Sequence, residues 1–244
     1  MKHIDINCDM GEGISNEKEL MPMISSCNIA CGGHAGTEDT MRHVVNLAQE
    51  HHVHIGAHPS FPDKLNFGRE TMGISLTDLK KSLVNQMTAF YDIAQSQNAK
   101  VKHIKPHGAL YNEAVKNKKI AQIIVETLLF FDKELELFAP YDSVVSKIAH
   151  QNQVIVKYEA FADRHYNDDL SLVSRHHDDA LITEPEAMFS QINSIISKQQ
   201  LTSINGKKLR IKAATFCVHG DHKNAAENLK KLTQILQEKN IRIL

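Results

Sequence analysis

No apolar run in this chain approaches the ~18 residues that a membrane-spanning helix needs. The opening segment, MKHIDINCDMGEG, turns polar and acidic at once, so it does not read as a secretory signal. There is no excess charge of either sign: 28 Lys and Arg stand against 29 Asp and Glu. That balance gives no electrostatic case for a nucleic acid or an anionic membrane as partner. Cysteine is sparse, with four in 244 residues and no C-x-x-C pair. Cys8, Cys27, Cys31 and Cys217 therefore read as small buried thiols rather than a disulfide framework. A P-loop is absent, and so is a Gly-x-Ser-x-Gly elbow, which argues against P-loop phosphate binding and serine hydrolysis. No low-complexity stretch, linker or repeat divides the chain. A soluble cytoplasmic protein with one domain over residues 1–244 is expected.

What the chain has in abundance is histidine, 15 residues without a tag-like tract. Their positions depend on the fold. Short β-like runs alternate with amphipathic stretches. Extended segments are expected at 3–9, up to Cys31, at 53–57, 101–105, 135–139 and 154–158. Helical stripes follow: Met41, Val44, Val45 and Ala48, with Thr37 as N-cap, then Leu79, Leu83, Phe90 and Ile93 in a helix opened by Ser75 or Thr77. Others run through Ala121, Ile124, Leu128 and Phe131, through Met188, Ile192, Ile195 and Ile196, and from about Asn224 through Leu229 to Leu236. Asn205-Gly206 predicts a hairpin whose second arm runs from Leu209 towards Val218. About six to eight strand–helix units imply a parallel sheet, as a doubly wound sheet or a barrel. The lack of a Gly-rich turn after the first strand favours an irregular (β/α) TIM-like barrel.

In such a barrel the reactive groups gather where strands end. The expected strand ends deliver Asp5, Asn7 and Asp9; Asn28 and His34; His58; Lys105 and His107; Glu159, Asp163 and Arg164; and His219 and Asp221. Alternation points Asp5 and Asn7 to one face, inward. His34, His58, His107 and His219 sit beside Gly or Pro after apolar strands, where backbone can approach a ligand. His43, His51, His52, His150, His176, His177 and His222 fall on helices or polar loops and read as surface residues. A His/Asp cluster suits a transition metal. No H-E-x-x-H spacing is present, and a hydrogen-bonded rim without metal accounts for the pattern somewhat better. The glycines at 32, 33 and 36 lead into the helix capped by Thr37; they read either as a tight turn or as part of an anion site.

Asp5-Ile6-Asn7-Cys8-Asp9-Met10-Gly11-Glu12, the segment 28–36, Gly56-Ala57-His58-Pro59, the segment 105–112, Glu159 to Arg164, and Cys217 to Asp221 together resemble the LamB/YcsF family. The resemblance spans residues 5 to 221. It implies a distorted barrel of the glycoside hydrolase/deacetylase type. It also implies cleavage of 5-oxo-L-proline to L-glutamate coupled to hydrolysis of ATP, carried with Mg2+, in assembly with 5-oxoprolinase subunits B and C. Opening an unactivated lactam needs charge stabilisation, a base for water and a proton for the leaving nitrogen. Lys105 and Arg164 are expected to supply the charge. Asp9, Glu159 or His219 is expected to activate water, with His58 or His107 as proton donor. Asn7, Asn28, His34 and Asp221 are the remaining expected contacts to substrate or nucleotide. A metal-dependent amide hydrolase or deacetylase working without ATP is the competing expectation.

Overall fold

The structure, a computed structural model, describes residues 2–222 and 224–244. Its elements run β1 (Lys2–Met10), α1 (Glu17–Leu20), β2 (Ser26–Ala30), α2 (Glu38–Glu50), β3 (His54–His58), α3 (Leu76–Ser96), β4 (Val101–Ile104), α4 (Gly108–Ala114), α5 (Lys118–Phe131) and β5 (Glu136–Pro140). There follow α6 (Val144–Gln151), β6 (Ile155–Phe161), α7 (Pro185–Lys198), β7 (Gln200–Thr202), β8 (Lys208–Arg210), β9 (Thr215–Cys217), α8 (Ala225–Glu238) and β10 (Ile241–Ile243).

β1 to β6 pair in sequence, all parallel, and β9 closes the ring between β6 and β1. Thr215 aligns with Glu159 on one side and with Asp5 on the other. The result is a closed seven-stranded parallel barrel, with β10 paired outside the ring to the first residues of β1. The Asn205-Gly206 hairpin forms as expected, joining β7 to β8 antiparallel. Its second arm does not continue to Val218. It breaks after Arg210, because β8 belongs to the hairpin and β9 to the barrel, and no single straight strand can serve both.

The barrel interior is polar. Along β1, Asp5 and Asn7 point inward while Ile4, Ile6, Cys8 and Met10 are buried against the surrounding helices. The apolar core is therefore the shell between sheet and helices. Thr37 caps α2 by accepting from the Thr40 amide, and Ser75 rather than Thr77 caps α3 by accepting from the Asp78 amide. All four cysteines are buried and unpaired. Gly36 has φ +89, and a Cβ there would sit 2.3 Å from the Ala30 carbonyl oxygen. The Gly32–Gly36 stretch is thus a tight return onto β2, with the Gly32 amide bonded to the Ala35 oxygen. Among the described residues no helix is long and apolar enough to cross a membrane.

Candidate functional site

A cavity of about 540 Å³ opens at the C-terminal mouth of the barrel, a volume suited to a small molecule. Asp9, Glu12, His58, Lys105, His107, Arg164 and His219 line it. An apolar groove of about 700 Å³ between α3 and α5, on the outer surface, is lined by Leu76, Val84, Ile123 and lysines and contains no histidine.

Lys105 forms the floor. It leaves β4 just before Pro106, is 2% exposed, and reaches Asp9 Oδ1 at 3.0 Å and Glu159 Oε1 at 3.0 Å. It also donates to Asn7 Oδ1 at 3.2 Å and approaches Cys217 Sγ at 3.1 Å. Burial works to lower its pKa, yet the carboxylates of Asp9 and Glu159, with the hydrogen bond to Cys217 Sγ, outweigh that and hold it well above the usual lysine value. Burial likewise works against ionised Asp9, but His58 and Lys105 keep its carboxyl well below the usual range. Burial pushes the Cys217 thiol up, so it stays protonated.

Glu159 lies within β6 rather than beyond it. Its oxygens accept from Asn7 Nδ2 at 2.9 Å and from Tyr111 Oη at 2.7 Å. Those bonds and Lys105 saturate it, and it is not among the cavity-lining residues. Asn7 and Asn28 lie deeper. Asn28 donates to Asn7 Oδ1 and Asp9 Oδ1, both at 2.7 Å, and accepts from His103 Nε2 at 2.7 Å. These two asparagines, fully buried, orient Asp9 and Lys105 from beneath.

One wall is built from histidine. His58 Nδ1 donates to the Lys105 carbonyl at 2.7 Å, and His107 Nε2 donates to the Phe67 carbonyl at 2.9 Å. Their other nitrogens, His58 Nε2 and His107 Nδ1, face each other at 3.0 Å. Glu12 Oε1 sits 3.3 Å from His107 Nδ1, 3.8 Å from His58 Nε2 and 2.8 Å from His34 Nε2. Burial lowers the His34 pKa to about 4, although Glu12 works to raise it, so that ring is neutral. Glu12, His34, His58 and His107 are close enough for their donor atoms to hold a metal ion, as are Asp9, Cys217 and His219.

The opposite wall holds His219. Its backbone N–H donates to Asp163 Oδ2 at 2.7 Å, and Nδ1 lies 3.0 Å from the same oxygen. An ionised carboxylate only accepts, so Nδ1 carries the proton and Nε2 is the free nitrogen. Arg164 lines the cavity with its Nε donating to the Ala180 carbonyl at 3.3 Å and its Nη2 to that of Val173. Asp221 stays at the mouth, where its Oδ2 accepts from Arg69 at 2.7 Å and Arg175 at 3.2 Å.

Of the expected site residues, Asp9, His58, Lys105, His107, Arg164 and His219 line one cavity. His34 supports it through Glu12. Glu12 and Tyr111 also line it, as do Arg69 and Arg175 at the mouth, and Asp163, expected at a strand end, stands behind His219. Glu12 stands between two glycines directly after the first strand, and Asp163 directly precedes Arg164; both positions were visible signals. Arg69 and Arg175 lie in loops without periodicity. His43, His51, His52, His150, His176 and His177 are exposed as expected, and His176 also reaches the cavity edge.

Residues 4–244 match the LamB/YcsF family as a whole. The chain belongs to that family. It is 39% identical over 243 residues to a Haemophilus influenzae (strain PittEE) protein named as the A-subunit of 5-oxoprolinase, covering 100% of this chain and 99% of that one. A protein of the same name from Pyrococcus abyssi is 37% identical over 246 residues, with 99% and 96% of the two chains covered. Among solved structures, the lactam utilization protein from Thermus thermophilus superposes with a TM-score of 0.91 at 30% identity, over 100% of this chain and 99% of that one. A family 18 chitinase from Pseudoalteromonas aurantia aligns over 94% of this chain and 99% of that one, with a TM-score of 0.53 at 7% identity. It shares the barrel alone.

Proposed function

We propose that this chain is the A-subunit of an ATP-dependent 5-oxoprolinase that opens the lactam of 5-oxo-L-proline to L-glutamate. Its partners in that assembly are subunits B and C. The observation that carries the reading is the full-length similarity to 5-oxoprolinase A-subunits, joined to a cavity that places a buried lysine opposite a His–Asp pair.

Each demand of the reaction has a group here. Phosphorylation of the lactam oxygen activates the ring carbon, and water then attacks it. His219 Nε2, with its tautomer set by Asp163, takes the proton from that water. The same imidazolium then returns a proton to the ring nitrogen as the C–N bond breaks, and the acyl phosphate left behind is hydrolysed by a second water to glutamate and phosphate. Lys105, held cationic by Asp9 and Glu159, stabilises negative charge developing on oxygen. The cations at the cavity, Lys105, Arg69, Arg164 and Arg175, fit the phosphoryl end of ATP with its Mg2+. A phosphate there competes with Asp221 for Arg69 and Arg175.

The test is release of glutamate from 5-oxoproline by the chain alone and with subunits B and C, each with and without ATP. Turnover only with ATP and all three subunits supports the reading. Amide hydrolysis by the chain alone without ATP would select instead a metal-dependent amide hydrolase, which the Glu12, His58 and His107 donors would serve.

A further inference from the structure

Glu12 is a buried carboxylate with an unusual set of neighbours. Its side chain is 7% exposed, and among the described residues no lysine or arginine pairs with it. Only imidazole nitrogens face it: His34, His58 and His107. Asp9 and Glu159 already share Lys105, so no fixed cation remains for Glu12. A buried anion left in this state needs a cation brought from outside or a proton.

We propose that Asp9, Glu12, His58 and His107 form a binding site for one divalent transition-metal ion. Donors bound at about 2.1 Å to a common ion stand about 3.0 Å apart at right angles and about 3.4 Å apart in a tetrahedron. The spacings here are 3.0 Å from His58 Nε2 to His107 Nδ1 and 3.3 Å from His107 Nδ1 to Glu12 Oε1. They are 3.3 Å from His58 Nε2 to Asp9 Oδ2 and 3.8 Å from His58 Nε2 to Glu12 Oε1. The outward nitrogens agree. Both His58 Nδ1 and His107 Nε2 face backbone carbonyls, which only accept, so each ring keeps a proton there, and an ion between the inward nitrogens takes the place of the proton that His58 Nε2 otherwise directs at Asp9. That is how a second layer of hydrogen bonds prepares a ligating histidine.

His34 is not a ligand, although its Nε2 is nearest to Glu12. Its ring stacks on His107 with centroids 3.6 Å apart and planes 2° from parallel. Imidazole lone pairs lie in the ring plane. An ion midway between two such planes would be about 1.8 Å out of each, which a bond of about 2.1 Å does not allow. His58, by contrast, stands at 87° to His107, as two rings meeting at one ion can. His34 instead donates Nε2–H to Glu12 and aims it. Two imidazoles with two carboxylates suit Zn2+, Co2+ or Mn2+, whereas Mg2+ and Ca2+ favour all-oxygen sets. All four ligands line the cavity, so an ion there keeps a face open to a water or a carbonyl oxygen.

The test uses the full chain, stripped with chelator and titrated with Zn2+ by calorimetry and with Co2+ by visible absorption. No substrate or partner protein enters it, so it stands or falls apart from the lactam reading. One equivalent is expected to bind, with Mg2+ unable to displace it. His107→Gln and His58→Gln are expected to weaken binding at least about a hundredfold, and His34→Gln about tenfold or less, the range for a residue behind a ligand. The exposed pair His51→Gln with His52→Gln, a control for surface histidines, should keep the site. Circular dichroism and melting curves establish that each variant is folded. Absence of binding by the folded wild-type chain overturns the proposal, and so does a folded His107→Gln variant that binds like wild type.

Discussion

Asp163 grips His219 twice with one oxygen, accepting the backbone N–H at 2.7 Å and facing ring Nδ1 at 3.0 Å. Burial works to raise the Asp163 pKa, but His219 outweighs that and holds the carboxyl below its usual range. The carboxylate therefore fixes both the orientation and the tautomer of the imidazole. An amide at 163 has nearly the same shape yet can present an N–H to Nδ1, which would move the ring proton to Nε2. Asp163→Asn is expected to lower kcat of the assembled enzyme by on the order of 10²- to 10⁴-fold with little change in KM. His219→Gln should cost as much, and the double variant no more than either, because the two act as a unit. Additive losses in glutamate release would show that they do not.

Lys105 is the cation between Asp9 and Glu159. Lys105→Met leaves both carboxylates buried without it, a loss of roughly 3–5 kcal/mol in stability. Glu159→Gln alone should cost less, since the amide still meets Tyr111 and Asn7. Urea unfolding of the two single variants and the double variant completes the cycle. A coupling energy near zero would mean that the pair does not interact in the folded state.

At Gly56 the strand ladder between β3 and β4 shifts register, and the His103 ring fills the space a side chain would take. A Cβ at 56 would lie 2.2 Å from that ring. Gly56→Ala is expected to destabilise by about 1–3 kcal/mol through overpacking. Gly73→Ala, where no atom lies within 4 Å, should fall within about 0.5 kcal/mol of wild type. Thermal melts of both variants compare a crowded with an open position.

His103 supplies a pH dependence. Burial, then Lys157 and Lys105, push its pKa well below the ordinary value, so it stays neutral in the fold and donates Nε2–H to Asn28. Unfolded, it takes up a proton below about pH 6.5. The unfolded chain then binds more protons, and stability falls as the pH drops from there towards the folded pKa, by about 1.4 kcal/mol per pH unit for this one group. His103→Gln should flatten that slope by one proton's worth even though it lowers stability at every pH. Unfolding free energies at pH 7 and pH 5 read the slope directly, and parallel slopes would exclude His103 as its source.

The strand–helix order and the inward set Asp5, Asn7 and Asp9 were legible because alternation with Ile4, Ile6 and Cys8 is a local pattern. Thr37 announced its helix through the N-cap rule for the same reason. β10 and the break before β9 were not legible. Three-residue strands carry no period, and their pairing depends on which neighbour has a free edge. Glu159 looked like a rim carboxylate, since sequence shows that it follows an apolar run but not that Tyr111, Asn7 and Lys105 already hold it.

By itself, the sequence determined the alternating architecture, the family, and the pool of ionisable residues from which a site could be made. These follow from short-range periodicity and from motifs read along the chain. Tertiary structure alone decided how that pool divides. Seven parallel strands closing on one another bring Asp9, Lys105 and Glu159 into one ion-paired floor, His219 onto Asp163, and Glu12 among imidazoles without a fixed cation. Barrel closure sets those distances between residues about 50 to 100 positions apart in the chain, and both charge compensation and tautomer choice depend on distances of that kind rather than on order along the chain.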